Sequence, residues 1–199
     1  VDVRVPTSSP LFKFLLVTLI VAGVRLNTIE QLVVDWDESV YLVVAQDLVH
    51  GGSLYSTAWD HKGPFLYLAL VPVVAIAEGS MVAARLYYAL WLVATMFFVD
   101  RIARCLVSER WAFIAPLVYG LLFSIQTFGG LAGNAELFMM LPCTAAVWLT
   151  IRCPDSCGRV RSMLLPGFLA SCACLIKPTV ATTVATIPLM ILILRRSQG

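Results

Sequence analysis

The stretch Met81-Val82-Ala83-Ala84-Arg85-Leu86-Tyr87-Tyr88-Ala89-Leu90-Trp91-Leu92-Val93-Ala94-Thr95-Met96-Phe97-Phe98-Val99 carries a single charged residue, Arg85. A bilayer's hydrocarbon core is crossed by about 20 mostly apolar helical residues, so 81–99 predicts a membrane span. Windows of the same kind recur at about 11–29, 111–128, 136–151, 163–176 and 178–194. The fifth is short, and only Lys177-Pro178 separates it from the sixth, so these two are expected as half-spans turning near one membrane face. Composition agrees: the 199 residues are 60% hydrophobic and 13% charged, with a mean hydropathy of +0.88. Soluble domains carry roughly 25% charged residues. This chain is therefore neither a water-soluble globular enzyme nor a basic-patch nucleic-acid binder nor a disordered tail. The expected fold is all-α, a polytopic transmembrane helical bundle of about six spans with a long external first loop.

Charge sets the orientation. Arg4, Lys13, Arg101, Arg104, Arg110, Arg152, Arg159, Arg161, Arg195 and Arg196 fall on one side of the predicted spans, ten of the fourteen Lys and Arg. The positive-inside rule makes that side cytoplasmic, with the N-terminus. The segment 30–80 carries seven acids against the one base Lys62, a formal charge of −6, and is expected outside. Arg25 and Arg85, in apolar runs near the external end, read as snorkelling side chains. The six cysteines, Cys105, Cys143, Cys153, Cys157, Cys172 and Cys174, show no zinc-ligand spacing with His50 or His61 and read as small packing residues. The first apolar run lacks a small-residue cleavage site and reads as a retained span. A start at Val1 and an end directly after a span suggest an N-terminal fragment.

The external segment has structure of its own. Tyr41, Val44, Ala45 and Leu48 share one face of a helix expected over Glu38 to Val49, with Asp37 as N-cap and Gly51-Gly52 as stop. That helix is expected to lie along the membrane surface. Phe65 to Ala77, interrupted by Pro72, is too short to cross and suits a re-entrant or interfacial helix.

Four motifs point to this external face. Asp35-Trp36-Asp37-Glu38-Ser39-Val40-Tyr41 places three carboxylates just beyond the first span, read either as capping and solvated charge or as catalytic groups. Trp59-Asp60-His61-Lys62-Gly63-Pro64-Phe65-Leu66-Tyr67 sets a lysine at a helix N-terminus. A cation there opposes the helix dipole, which suggests a bound phosphate or carboxylate; snorkelling or a pair with Asp60 is the alternative. His61 alone is weak evidence of a metal. Gly133-Asn134-Ala135-Glu136 opens the fourth span, and Ile176-Lys177-Pro178-Thr179 closes the fifth. Glu136 reads as a cap or a functional acid, Lys177 as a headgroup anchor or a functional base. No phosphate-binding loop, dinucleotide fingerprint, zinc-protease motif or nucleophile elbow occurs.

These motifs, with Gly51-Gly52-Ser53-Leu54-Tyr55, Ala84-Arg85-Leu86 and Leu175-Ile176-Lys177-Pro178, resemble in order and spacing the polyprenyl-phosphate-sugar-dependent glycosyltransferases of the GT-C superfamily. The branches most similar are the protein O-mannosyltransferases and lipid A aminoarabinose transferases. The likeness runs from about Asp35 to Arg196. It implies a catalytic domain over residues 1–199, the N-terminal part of a longer enzyme, with interfacial helices in the external loop 30–80. It implies Asp37 and Glu38 as catalytic, Asp37 being the base or a metal ligand, and Lys62 and Lys177 as donor-phosphate contacts. Tyr41, Asp60, His61, Asn134 and Glu136 would complete the pocket, and a divalent metal, if used, would involve Asp37 and His61. Two positions depart from the family pattern: Lys62-Gly63-Pro64 replaces Lys-Pro-Pro, and Val40 stands where the aminoarabinose branch has arginine.

The expected reaction moves a hexosyl or pentosyl group from a polyprenyl-phosphate donor to a hydroxyl of a lipid, protein or glycan acceptor, with inversion, at the outer face of a plasma or inner membrane. Membrane lipids are the other expected partners, and nucleic acid is not one. The rival readings are a secondary transporter or flippase-like protein, whose ionisable groups tend to sit at mid-membrane in repeats, and a non-catalytic assembly subunit.

Overall fold

The computed structural model describes residues 9–31, 35–77, 79–125, 127, 130–152 and 159–186. Its named helices are α1 (Pro10–Arg25), continued by one 3-10 turn (Leu26–Thr28), α2 (Trp36–Val49), α3 (Pro64–Ala77), α4 (Met81–Leu106), α5 (Ile114–Leu122), α6 (Ala135–Arg152) and α7 (Arg159–Ile176). The protein is an all-α helical membrane bundle. Among the described residues, three helices are long and apolar enough to cross a membrane: Pro10–Thr28, Met81–Leu106 and Ala135–Arg152. They coincide with the first, second and fourth predicted windows.

The first span starts where its chemistry demands. Ser9 caps it, its Oγ accepting from the Phe12 amide at 3.2 Å, and Pro10 occupies the first turn, where its missing N–H costs nothing. Leu11, Phe12, Leu15 and Leu19 remain exposed, as side chains facing lipid do.

The third window behaves differently. α5 has only nine residues, about 14 Å at 1.5 Å per residue. Its end is held by Arg25, whose guanidinium donates to the Phe123 carbonyl at 3.0 Å and the Gly130 carbonyl at 2.9 Å. The Phe123 carbonyl, which caps the helix end, is thus satisfied without a further turn. Arg25 is 5% exposed, so it does not snorkel; it ties α1 to the segment after α5. The apolar part of α7, Ser162–Ile176, is shorter than a full span, and the sixth window is helical from Val180 to Thr186, with its remainder outside the described residues. Arg4, Glu78, Cys153, Cys157, Arg195 and Arg196 also lie outside them. Of the described cysteines, Cys143 and Cys172 are buried, Cys174 is half-buried and Cys105 is exposed; all four are free.

The core gathers where α2, α3, α4 and α6 meet, around Tyr41, Leu66, Tyr67, Tyr88, Leu92 and Phe138. Trp91 and Phe138 stack edge to face at 5.1 Å between centroids. The Trp91 indole also donates to the Phe138 carbonyl at 3.2 Å. That carbonyl sits four residues before Pro142, which has no N–H to give it, so a side chain from α4 repairs the gap.

Candidate active site

The site is assembled at the ends of four elements. α2 begins at Trp36 with Asp35, not Asp37, in the N-cap position, which moves the helix start two residues ahead of expectation. Asp35 makes no capping hydrogen bond of its own; its carboxylate accepts from the Asn134 amide at 3.0 Å, joining the start of α2 to the start of α6. The expected apolar face is real: Tyr41, Val44 and Ala45 are buried.

Asp37 and Glu38 are neighbours in sequence but about 100° apart around the helix. Glu38 is fully buried. Arg85 of α4 holds it through two hydrogen bonds, of 2.5 and 2.9 Å, and the Gly133 amide donates to it at 3.3 Å. The same guanidinium donates to the carbonyls of Leu131, at 2.9 Å, and Gln31, at 3.4 Å. Arg85, 3% exposed, is therefore a buried crosslink and not the snorkelling side chain expected. Gly133 fits this junction because a Cβ there would fall 2.5 Å from the Tyr88 ring.

Asp37 faces outward with 55% of its side chain exposed. Its Oδ2 accepts from the Tyr41 hydroxyl at 2.8 Å and lies 3.9 Å from Lys62 Nζ. Burial, reinforced by the hydrogen bond to Asp37, pushes the Tyr41 phenol well above its ordinary range, so it stays a neutral donor. The Lys62 ammonium also stands 5.9 Å from the centre of the Tyr41 ring, within cation–π range.

Lys62 is fixed by its main chain. Its carbonyl accepts from Tyr55, 2.8 Å away, and Tyr55 itself holds a left-handed φ of 64°, unusual for a bulky residue. The next residue, Gly63, presses on α7: a Cβ there would lie 1.7 Å from the Leu175 carbonyl oxygen. Glycine in place of the second family residue is thus what lets this loop reach the end of α7. Lys177, one residue beyond α7, pairs with Glu136 in the first turn of α6.

Asp60 stands slightly apart. It accepts from the Tyr67 hydroxyl and the His61 amide, both at 2.7 Å, and its Oδ1 lies 2.9 Å from His61 Nδ1. Burial pushes its carboxyl up, but these hydrogen bonds and the imidazole outweigh burial and hold it below the usual carboxylate range. The imidazole is 68% exposed. The expected metal ligands do not form a set: Asp37 is engaged by Tyr41 and Lys62, His61 by Asp60. Among the described residues no three His, Cys, Asp or Glu side chains gather as ligands. The site does not fit a divalent-metal centre.

Of the expected site residues, the fold thus joins Asp37, Tyr41 and Lys62 in one cluster, with Glu136 and Lys177 beside it, and places Asn134 under Asp35. Glu38 lies behind them in the core. Tyr55, Tyr67 and Arg85 were not expected as parts of this arrangement; the signal for Arg85 was an arginine inside an apolar window, which needs a buried acid somewhere.

An apolar groove of about 730 Å³ opens between α3, α4, α6 and α7. Phe65, Leu68, Trp91, Phe98, Trp148 and Ile176 are among its walls. Phe65 follows Lys62 by three residues and Ile176 immediately precedes Lys177, so two of the groove's walls adjoin the lysines in sequence.

A helical membrane bundle carrying this site belongs to the class of GT-C membrane glycosyltransferases. Residues 61–198 match the family described as dolichyl-phosphate-mannose-protein mannosyltransferase, and the chain belongs to that family. Comparison with curated proteins and with solved structures gives no match. The matched stretch contains Lys62, Glu136 and Lys177; Asp37 and Glu38 lie upstream of it.

Proposed function

We propose that the chain transfers a sugar from a polyprenyl-phosphate donor to an acceptor hydroxyl at the external membrane face, inverting the anomeric carbon. The observation that carries this reading is the meeting of an exposed carboxylate, Asp37, with Lys62 at 3.9 Å; an apolar groove walled by Phe65, three residues after Lys62, and by Ile176, next to Lys177 in sequence, supports it. A lipid phosphate sugar has a matching shape: an apolar tail, an anion, and a reacting carbon just beyond it.

In this mechanism Asp37 takes the proton from the acceptor hydroxyl. The acceptor oxygen forms its bond to the anomeric carbon as the bond from that carbon to the phosphate oxygen breaks, and the electron pair leaves with the polyprenyl phosphate. Lys62 and Lys177 offset the charge gathering on that phosphate, where a low-dielectric membrane boundary strengthens them. Tyr41 orients Asp37, and the Glu38–Arg85 pair holds the turn that carries it. Displacement from the face opposite the phosphate gives inversion. The cytoplasmic side is that of Arg101, Arg104 and Arg110, so the site opens to the exterior of a plasma or inner membrane.

The experiment is transfer of labelled sugar from a panel of polyprenyl-phosphate donors by membranes carrying the chain or its Asp37→Asn variant. Label in an acceptor with the unaltered chain, and a loss of about 10²- to 10⁴-fold in the variant, supports the reading. Equal transfer by both removes Asp37 from the chemistry. Movement of substrate across sealed vesicles without any covalent product would replace the transferase by a transporter.

A further inference from the structure

We propose that the Glu136 carboxylate is the resting occupant of the anion site at Lys177, and that it sets how tightly the lipid phosphate is held. The inference rests on the donor reading above and deepens it by naming the residue that competes with the substrate.

Glu136 Oε1 is paired with Lys177 Nζ, and the loop that carries Lys62 is pressed on the end of α7 at Leu175. Each lysine cited for phosphate binding therefore already faces a carboxylate, Asp37 for Lys62 and Glu136 for Lys177. Gly63 is pressed on the Leu175 carbonyl, which holds the Lys62 loop to the end of α7 just before Lys177. A phosphate approaching Lys177 meets Glu136 and must displace it, because two anions on one cation repel.

The displacement is easy. Glu136 has 38% and Lys177 28% of its side chain exposed, so the carboxylate swings into water and is not stranded in the core. Glu38, fully buried, has no such freedom. After transfer the same movement runs in reverse: the returning carboxylate competes with the spent polyprenyl phosphate for Lys177 and helps to expel it. Glu136 is in this sense a specificity and release residue, tuning the site to a singly bridged phosphate that must leave again.

The test uses the full chain in lipid nanodiscs and reads binding of a short-chain polyprenyl phosphate without sugar, together with steady-state transfer. Glu136→Gln is expected to bind that phosphate about ten-fold more tightly, as removal of a competing, partly exposed charge would allow. The donor KM falls, product inhibition strengthens, and Glu136→Asp behaves like the unaltered chain. Glu136→Ala, read in the same way, serves where the glutamine variant does not fold. Should phosphate binding weaken or stay unchanged in these variants, while Lys62→Gln and Lys177→Gln abolish it, the inference is overturned and the donor reading stands. Should neither lysine matter for phosphate binding, the donor reading falls and takes the inference with it.

Discussion

Two adjacent carboxylates meet opposite fates in this protein, and the difference is one step around a helix. Asp37 points to the open side and is available for chemistry; Glu38 points inward and is matched to Arg85. Removing one member of a buried ion pair strands the other, at a cost of about 3–5 kcal/mol. Arg85→Ala and Glu38→Ala are each expected to lower stability by that order in detergent thermal unfolding, and replacement of both residues by apolar side chains to cost clearly less than either alone. Equal losses for single and double replacements would show that the pair is not the structural unit. Asp60 gives a pH effect of determined sign. Its carboxyl is held below its ordinary range in the folded chain, so the unfolded chain binds the proton more readily. The stabilisation is therefore complete above about pH 4 and is lost as pH falls through the lower, folded value. A melting-temperature series from neutral to acid pH is expected to show this loss in the unaltered chain and to lack it in Asp60→Asn. At this scale the sequence was half legible. The acids and lysines stood out by type, but the partner of Arg85 lies 47 residues away, and nothing local to an apolar window says which neighbour will face an arginine.

The elements were easier to read. α2, α3, α4 and α6 fall where hydrophobic period and length placed them, because a helix rich in apolar residues satisfies its own backbone and needs little else. α5 was misjudged in length: its apolar window runs on past Leu122, yet the Phe123 carbonyl at its end is taken by Arg25, a tertiary event with no trace in local pattern. The start of α2 shifted for a related reason, since Asp35 is held from outside by Asn134. The approach of the Lys62 loop to α7 was likewise invisible as a contact, although the glycine that permits it was noted as a departure from the family pattern. Gly63→Ala puts a methyl group into the Leu175 carbonyl and is expected to separate the two lysines. We expect sugar transfer to fall at least about ten-fold, mostly through a raised donor KM, since the loss is one of binding geometry. An unchanged KM would mean that the two lysines do not act together.

The whole molecule follows from a simple partition: apolar spans, a basic side and an acidic side. That arrangement predicts the side on which α4 ends. Cys105, exposed near the C-terminal end of α4, serves as a reporter when the other five cysteines are replaced. A membrane-impermeant maleimide is expected to label it in inside-out vesicles and not in right-side-out ones. The reverse pattern would put the catalytic cluster on the cytoplasmic side and require a different donor pool.

The hold of Glu38 on Arg85 and Gly133 also has a consequence for how the protein is made. Glu38 leaves the ribosome well before either partner, for Arg85 follows 47 residues later and Gly133 95 residues later. At roughly 5–20 residues per second of synthesis, the second interval lasts about 5–20 s. During that time the segment that carries Asp37 has its neighbour's buried charge without its full set of partners, which is complete only once Gly133, just ahead of the fourth predicted span, has emerged. A chain arrested before that point would hold every residue of the first motif in place and still have no site.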